Sequence, residues 1–405
     1  MNLKEKIKSL VSEYYNEVVE IRRHLHAHPE LSLHETETAA YISAKLNSFG
    51  IEHKTGIAKT GIVGIIKGKN PGSKVVALRA DMDALPIKEA NDVDYASKNS
   101  GVMHACGHDV HMACLLGAAK ILQAMKNEFE GSIKLIFQPS EETYPGGAIM
   151  MINEGVLENP IPEVVFGQHV FPGLNAGQVG VKPGQYMAST DEVYLIVKGR
   201  GGHAATPHLN IDPIVIASHI IIGLQQIVSR FAKPYMPTVL SFGKIIGEGR
   251  NNIIPDEVKI DGTLRTFSEE WRAEAHKKIT EMASGIARSM GGECEVKISK
   301  GYPFLVNDDK LTAKFVEAAS DFLGKENVKE LDLAMTAEDF AYFSQRKPSC
   351  FYRLGIRNEK TGITSNLHTP TFNVDEESLK TGMGLMAFVA IYSLKRACLE
   401  SIDSL

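Results

Sequence analysis

The sequence predicts an α/β protein whose mostly parallel sheet is interrupted by a smaller inserted α+β unit. Three observations predict it. Short β-branched runs alternate with helical patterns between residues 61 and 169, an order that builds a parallel sheet. Two stretches rich in Gly, Ser, Pro and Ala, 183–190 and 299–303, bracket a segment with its own β-α-β-β-α-β order, the ferredoxin-like split motif. After the second stretch the alternation resumes and closes on a long helix. The 405 residues exceed one core at roughly 150 residues per domain. The expected division is 1–187 for the first part of the larger domain, 188–299 for the insert, and 300–405 for the second part.

Residues 3–26 carry Leu10, Val11, Tyr14, Val18, Ile21 and Leu25 at helical spacing. His24, His26 and His28 alternate just before Pro29. They read better as donors at the carbonyl end of that helix than as a metal cluster. A second helix over 35–49 stops at Gly50. Strands over 61–67 and 74–80 flank the turn Asn70-Pro71-Gly72, and the second ends in Arg79-Ala80-Asp81-Met82-Asp83-Ala84-Leu85-Pro86. A helix over 110–125 leads to a strand over 132–138, which ends in Pro139-Ser140-Glu141-Glu142. A helix over 147–155 leads to a strand over 163–168, which ends in His169. In the insert, strands are expected over 191–198, 238–244, 258–267 and 293–299, with helices over 212–231 and 268–290. Beyond it come a helix over 311–323, a helical stretch over 337–343 and a strand over 349–354. The loop Asn366-Leu367-His368-Thr369-Pro370 then precedes a closing helix over 375–396, where Gly382 and Gly384 signal close packing.

Composition narrows the class. Hydrophobic residues make up 43% and charged residues 23%, ordinary for a soluble globular enzyme. The net charge of −5, with no basic block, argues against a nucleic-acid partner. The first residues form a charged amphipathic pattern without a signal-peptide core. No apolar run approaches ~20 residues, so no membrane span is expected. The five cysteines (Cys106, Cys114, Cys294, Cys350 and Cys398) are odd in number and widely spaced. They point to a reducing cytoplasm, with most of them serving as small buried hydrophobes.

The chemistry centres on Met103-His104-Ala105-Cys106-Gly107-His108-Asp109-Val110-His111. Cys106 and His108, two apart, leave an extended or loop backbone on the same side. Thiolate, imidazole and carboxylate together suit borderline-soft divalent metals. In open α/β sheets ligands bind outside the carboxyl ends of strands. Asp81, Asp83, Glu141, Glu142 and His169 are all expected there. Adjacent Glu141 and Glu142 point different ways, so one can hold a metal while the other moves a proton. An acidic helix start is the competing explanation for that pair. A hydrogen-bonded core residue competes for His169, and capping competes for Asp81 and Asp83. His368 lies in the kind of loop where function concentrates. In the insert, Gly199-Arg200-Gly201-Gly202-His203-Ala204 lets backbone approach a ligand, and His203 is placed to donate to a developing oxyanion, unless it merely occupies a tight turn. Asn252 and Arg265 are candidates for a substrate carboxylate, Arg as a bidentate fork.

The motifs at 79–86, 104–109, Gln138-Pro139-Ser140-Glu141-Glu142, Gly201-Gly202-His203-Ala204 and Leu367-His368-Thr369-Pro370 together resemble the metal-dependent amidohydrolases typified by hippurate hydrolase, N-acyl-amino-acid amidohydrolases and plant indole-acetyl-amino-acid hydrolases. These are relatives of aminoacylase and glutamate carboxypeptidase. The resemblance spans essentially the whole chain. It implies a catalytic domain split by an inserted lid through which the chain forms a homodimer, larger assemblies being left open. It implies two divalent ions on Cys106, His108, Glu142, His169 and His368, with zinc, manganese, cobalt or nickel all open. Glu141 matches the general base, and Asp81 and Asp83 the acidic motif beneath the metals. His203 matches a lid histidine, acting in its own subunit or across the dimer. Asn252 and Arg265 lie where relatives hold the substrate carboxylate. His104 and His111 match the motif without matching a ligand. The implied activity is hydrolysis of small N-acyl amino acids. A dipeptidase or carboxypeptidase using the same centre is the alternative, and a non-catalytic metal-stabilised binding protein is a second.

Overall fold

The computed structural model describes residues 1–395. Arg396, the expected last residue of the closing helix, and Cys398 lie outside them. The strands of the two larger sheets are, in chain order, β1 (Glu52–Ile57), β2 (Gly61–Lys67), β3 (Val75–Asp81), β4 (Ser132–Gln138), β5 (Val164–Asn175) and β6 (Val179–Val181). They continue with β7 (Asp191–Lys198), β8 (Thr238–Ile246), β9 (Glu257–Thr266), β10 (Glu293–Lys300), β11 (Val328–Glu330) and β12 (Ser349–Arg357). The helices are α1 (Leu3–Ala27), α2 (Thr36–Ser48), α3 (His108–Ala124), α4 (Gly147–Asn153), α5 (Pro213–Gln226), α6 (Glu269–Ser289), α7 (Asp309–Leu323), α8 (Ala341–Ser344) and α9 (Ser378–Lys395). The chain forms two compact units, one of Met1–Tyr186, Val306–Asp332 and 339 onward, the other of Met187–Leu305 and Leu333–Glu338.

The first unit is built on an eight-stranded sheet in the order β1-β2-β4-β3-β5-β12-β6-β11. Its centre is parallel, β4 with β3, β3 with β5, and β5 with β12. Antiparallel pairs flank that centre at β1–β2, β2–β4 and β12–β6. Every residue of β3 and β4 is buried, as expected for parallel strands covered on both faces. Helices α1, α3 and α9 pack together over the sheet. Their approach is close: a Cβ at Gly382 would sit 2.4 Å from Cys114 Sγ.

Four local expectations are corrected. Strand β1 was not anticipated, because its Glu-His-Lys-Thr-Gly-Ile sequence is polar, as suits an exposed edge strand. Helix α3 begins at His108, so His108 rides on its first turn. Strand β5 runs on to Asn175, paired with β12 as far as Arg357, so His169 lies within a strand and not beyond its end. The helical stretch expected over 337–343 shrinks to Ala341–Ser344.

The second unit is an antiparallel four-stranded sheet, β8-β9-β7-β10, with α5 and α6 packed on it. Asp212 and Ser268 accept main-chain N–H groups at the starts of these helices, which satisfies donors the helix itself leaves open. Arg272 ties the unit's entry and exit together, donating to Asp191, to Thr190 O and to Gly301 O. One helix departs from the expectation that no apolar run approaches ~20 residues. Pro213–Phe231, 19 residues, is long and apolar enough to cross a membrane by length and composition. Here its Ile216, Ala217, Ile220, Leu224 and Ile227 lie in the unit's core, while Ile214, Val215, Ile222 and Phe231 are exposed.

Candidate metal centre

Parallel β4, β3, β5 and β12 are neighbours, so their carboxyl ends share one edge. Asp81 ends β3, Glu141 and Glu142 follow β4, and His169 lies in β5. Cys106 and His108 arrive on the start of α3, and His368 on the loop beyond β12. Local geometry sharpens the presentation. Ser140, at φ 53°, turns the chain immediately before Glu141, with its N–H on buried Glu35 at 2.9 Å. His368 itself holds φ 60°, a conformation that disfavours most side chains and clusters at functional sites. Its N–H bonds Ala105 O at 2.8 Å, which ties the two loops together.

Cys106 Sγ lies 3.4 Å from His169 Nε2 and 3.3 Å from His368 Nε2. His368 Nε2 is 3.4 Å from Glu142 Oε1, and His108 Nε2 is 4.0 Å from the same oxygen. Potential ligand atoms fall within 4.8 Å of one another in five sets, of which one joins Glu141, Glu338 and Asp339 and three hold the donors above: Cys106, His108 and His169; Cys106, Glu142 and His368; His108, Glu141 and Glu142. The donors overlap at Cys106, His108 and Glu142.

Three features show that this cluster suits a cation. First, His108 Nδ1 and Nε2 and Glu142 Oε1 are buried without a hydrogen-bond partner. Asp83 Oδ1 approaches His108 Nδ1 to 3.3 Å, within ion-pair range but out of hydrogen-bond alignment. Buried polar atoms are seldom left open without a function. Second, burial works against charge on His108, yet Asp81, Asp83 and Glu142 push its imidazole up to about 10. The pocket is that electronegative. Third, burial, Glu142, Glu141 and Asp81 push the Cys106 thiol well up, so a thiolate there needs a positive partner. His169 is neutral and ready to donate a lone pair. Its Nδ1 donates to Val170 O at 2.7 Å, and burial together with Arg353 and His111 holds its pKa well down.

The surrounding residues orient these donors. Asp83 accepts Glu141 N–H and Glu142 N–H, both at 3.0 Å, and Ser32 Oγ at 2.6 Å. It therefore shapes the glutamate turn while facing His108. Asp81 accepts His111 Nδ1 at 2.5 Å and Arg79 Nη1 at 2.6 Å. Burial would raise its pKa, but Arg79, His108 and His111 hold it well below the usual carboxylate range. His111 falls in a fourth candidate set with Asp81 and His108. Both its nitrogens are engaged, however, because Nε2 accepts Val170 N–H at 2.9 Å. His104 is buried, desolvation driving its pKa down to about 3, and no candidate set among the described residues includes it. Nor does any include His24, His26 or His28. His26 instead bonds Asp109 at 2.8 Å and Glu89 at 3.1 Å.

His203, Asn252 and Arg265 belong to the second unit. His203 pairs with Ile253 across a short antiparallel ladder, and Ala204 N–H bonds Asn252 O at 3.0 Å. His203 Nδ1 accepts Ala205 N–H at 3.0 Å, so its Nε2 carries the proton and is a donor. Arg265 Nε donates to Thr263 Oγ1 at 3.2 Å.

The supporting roles of Arg79, Gln138, Glu35 and Ser32 escaped the sequence reading. The one signal was charge or amide on otherwise apolar strands, as in Val75–Asp81 and Ser132–Gln138.

Comparison with known proteins gives the cluster its context. Residues 77–391 match the description of peptidase family M20/M25/M40. Thermostable carboxypeptidase 2 of Saccharolobus solfataricus is 40% identical over 394 residues, 96% of this chain and 99% of its own. The N-acyl-L-amino acid amidohydrolase of Geobacillus stearothermophilus is 43% identical over 307 residues, 76% of this chain and 82% of its own. The crystal structure of the Bacillus subtilis YxeP protein, a dinuclear metal binding peptidase from the M20 family, is similar with a TM-score of 0.80 and 35% identity, covering 95% of this chain and 99% of that one. The match across most of the chain, and donors of the kind a metallohydrolase needs, lead to one conclusion: the chain belongs to peptidase family M20/M25/M40 and is a hydrolase of its amidohydrolase and peptidase class.

Proposed function

We propose that the protein is a dinuclear metal-dependent hydrolase that cleaves N-acyl amino acids to a carboxylate and a free amino acid. The observation that carries it is the convergence of sulfur, nitrogen and oxygen donors from residues 106 to 368, with open buried lone pairs on His108 and Glu142. Cys106, His108, Glu142, His169 and His368 are assigned as the ligands of two divalent ions, zinc, manganese, cobalt or nickel. Such ions, when bound, supply Lewis acidity that activates water and polarises the amide carbonyl.

The chain's own groups do the rest. Glu141 takes the proton of the attacking water as its oxygen bonds the acyl carbon. It returns that proton to the departing amine nitrogen as the C–N bond breaks. Asp83 holds the Glu141 and Glu142 main chain, and Asp81 fixes the His111 and Arg79 bed beneath. His203 donates its Nε2 proton in a hydrogen bond to the carbonyl oxygen as charge develops. Asn252 and Arg265 hold the substrate carboxylate. We assign the second unit, whose β-α-β-β-α-β order is ferredoxin-like, as a lid, with linkers near 183–190 and 299–303. The exposed apolar side chains of α5 support its use in a homodimer. The free thiols of Cys106, Cys114, Cys294 and Cys350 support a cytoplasmic location.

Two measurements test the proposal. Metal content per chain is measured together with kcat/KM on N-acetyl and N-benzoyl amino acids against dipeptides. Two ions per chain and a preference for the acyl substrates are expected. A preference for dipeptides of about tenfold or more, 1.4 kcal/mol in transition-state binding, favours the carboxypeptidase reading that the Saccharolobus relative supports. Chelation is expected to abolish turnover while circular dichroism shows most of the fold retained. Loss of the fold instead favours a metal-stabilised binding protein.

A further inference from the structure

We propose that Asp339 is the positioning residue for Glu141, anchoring the carboxylate that moves the proton. The inference rests on Glu141 being the base. Asp339 is fully buried in the first unit. Its main-chain N–H donates to Glu141 Oε1 at 3.3 Å, while the Glu141 carboxylate also reaches within 4.8 Å of ligand atoms of His108 and Glu142. One oxygen of the base is therefore tethered to Asp339 and the carboxylate still faces the metal donors.

The tether is only as firm as Asp339 itself, and its side chain is held from three elements. Its Oδ1 accepts Arg79 Nη2 at 2.9 Å, and its Oδ2 accepts Ala148 N–H, at the start of α4, at 2.9 Å. Gln138 Nε2, at the end of β4, lies 2.8 Å from both oxygens. Arg79 then reaches Asp81 with Nη1 at 2.6 Å and Gln138 Oε1 with Nε at 2.8 Å. The base and the bed of the metal donors are thus fastened to one buried network, so they keep their relative position. A Glu side chain has three rotatable bonds, and a misplacement of about 1 Å in a reacting group is worth roughly 100-fold in rate.

The test is a double-mutant cycle on the metal-loaded full-length protein with Asp339→Asn, Glu141→Gln and the double variant. Metal per chain and Tm are measured alongside kcat and KM. Asp339→Asn alone is expected to lower kcat by about 10- to 100-fold with KM and metal content unchanged. In the Glu141→Gln background it is expected to change kcat by less than about twofold, because a residue acting through the base has nothing left to position. Multiplicative losses, or a normal kcat in Asp339→Asn beside an inert Glu141→Gln, overturn the anchor and leave the base assignment standing. A Glu141→Gln variant with normal turnover overturns both. Should Asp339→Asn fail to fold, Gln138→Met removes one of the donors that hold Asp339 and is read in the same cycle by the same criteria.

Discussion

Replacing Asp83 by Asn perturbs the site without changing its shape. Asp83 Oδ1 accepts Glu141 N–H and Oδ2 accepts Glu142 N–H, each at 3.0 Å, with Ser32 Oγ on Oδ2 at 2.6 Å and His108 Nδ1 3.3 Å from Oδ1. An amide keeps one oxygen and turns an NH2 toward one of the two main-chain N–H groups. That donor loses its acceptor in a place closed to water. An unsatisfied buried donor costs about 1–3 kcal/mol, and a lost hydrogen bond to a charged group about 1.5–3 kcal/mol. Since the terms overlap, a total of about 3–4 kcal/mol is expected. At roughly 2–4 °C per kcal/mol for a domain of this order of size, Tm falls by about 6–16 °C. Metal affinity falls by about 10- to 100-fold, because residues that orient metal ligands carry that much of the affinity.

The pH dependence has a definite sign. Burial would raise the Asp83 pKa, but His108, Ser32 and the Glu142 N–H lower it overall. Its stabilisation is therefore present above the unfolded carboxyl pKa near 3.9 and is lost as pH falls through the lower folded value. The gap in Tm between wild type and Asp83→Asn should hold from pH 8 to about 5 and shrink below about 4. Scanning calorimetry of the metal-free proteins across this range, and competition against a chromophoric chelator for affinity, make the measurement. A variant within about 1 °C of wild type, well inside the shift one kcal/mol produces, refutes the reasoning. So does a gap that widens on acidification.

Two further outcomes follow from buried contacts. Asp109→Asn strips the carboxylate from fully buried Arg22, whose Nε lies 2.8 Å away, and should cost about 3–5 kcal/mol in denaturation measurements. Arg22 and His26 outweigh burial to hold the Asp109 pKa far down, so this contribution too persists above about pH 4 and fades only in stronger acid. Gly147→Ala would place a Cβ 1.7 Å from Pro139 O, forcing apart the backbone that carries Glu141 and Glu142. Lower Tm and a kcat reduced by about tenfold or more are expected. Gly72→Ala, where a Cβ meets nothing within 4 Å, should stay within about 0.5 kcal/mol of wild type.

Much of this protein is local and was legible in the chain. The alternation of strand and helix periods drew the large sheet's parallel centre, and the inserted β-α-β-β-α-β segment is the order seen in the second unit. The motifs are also local facts, and the family resemblance they carry named Cys106, His108, Glu142, His169 and His368 as candidate ligands before any coordinates. Period and type cannot say where a lone pair points. His108 and His111 sit in one motif, yet His111 has both nitrogens engaged by Asp81 and Val170 while His108 has both open. Partners distant in sequence made that difference: His111 meets Asp81 across 30 positions and Val170 across 59. The polar edge strand β1 and the extension of β5 past His169 were likewise decided by neighbouring strands, since main-chain pairing stabilises a segment whatever its side chains. The donor inventory was written in the chain; tertiary packing decided which of those donors stay open, because hydrogen bonds from elsewhere in the fold occupy the rest.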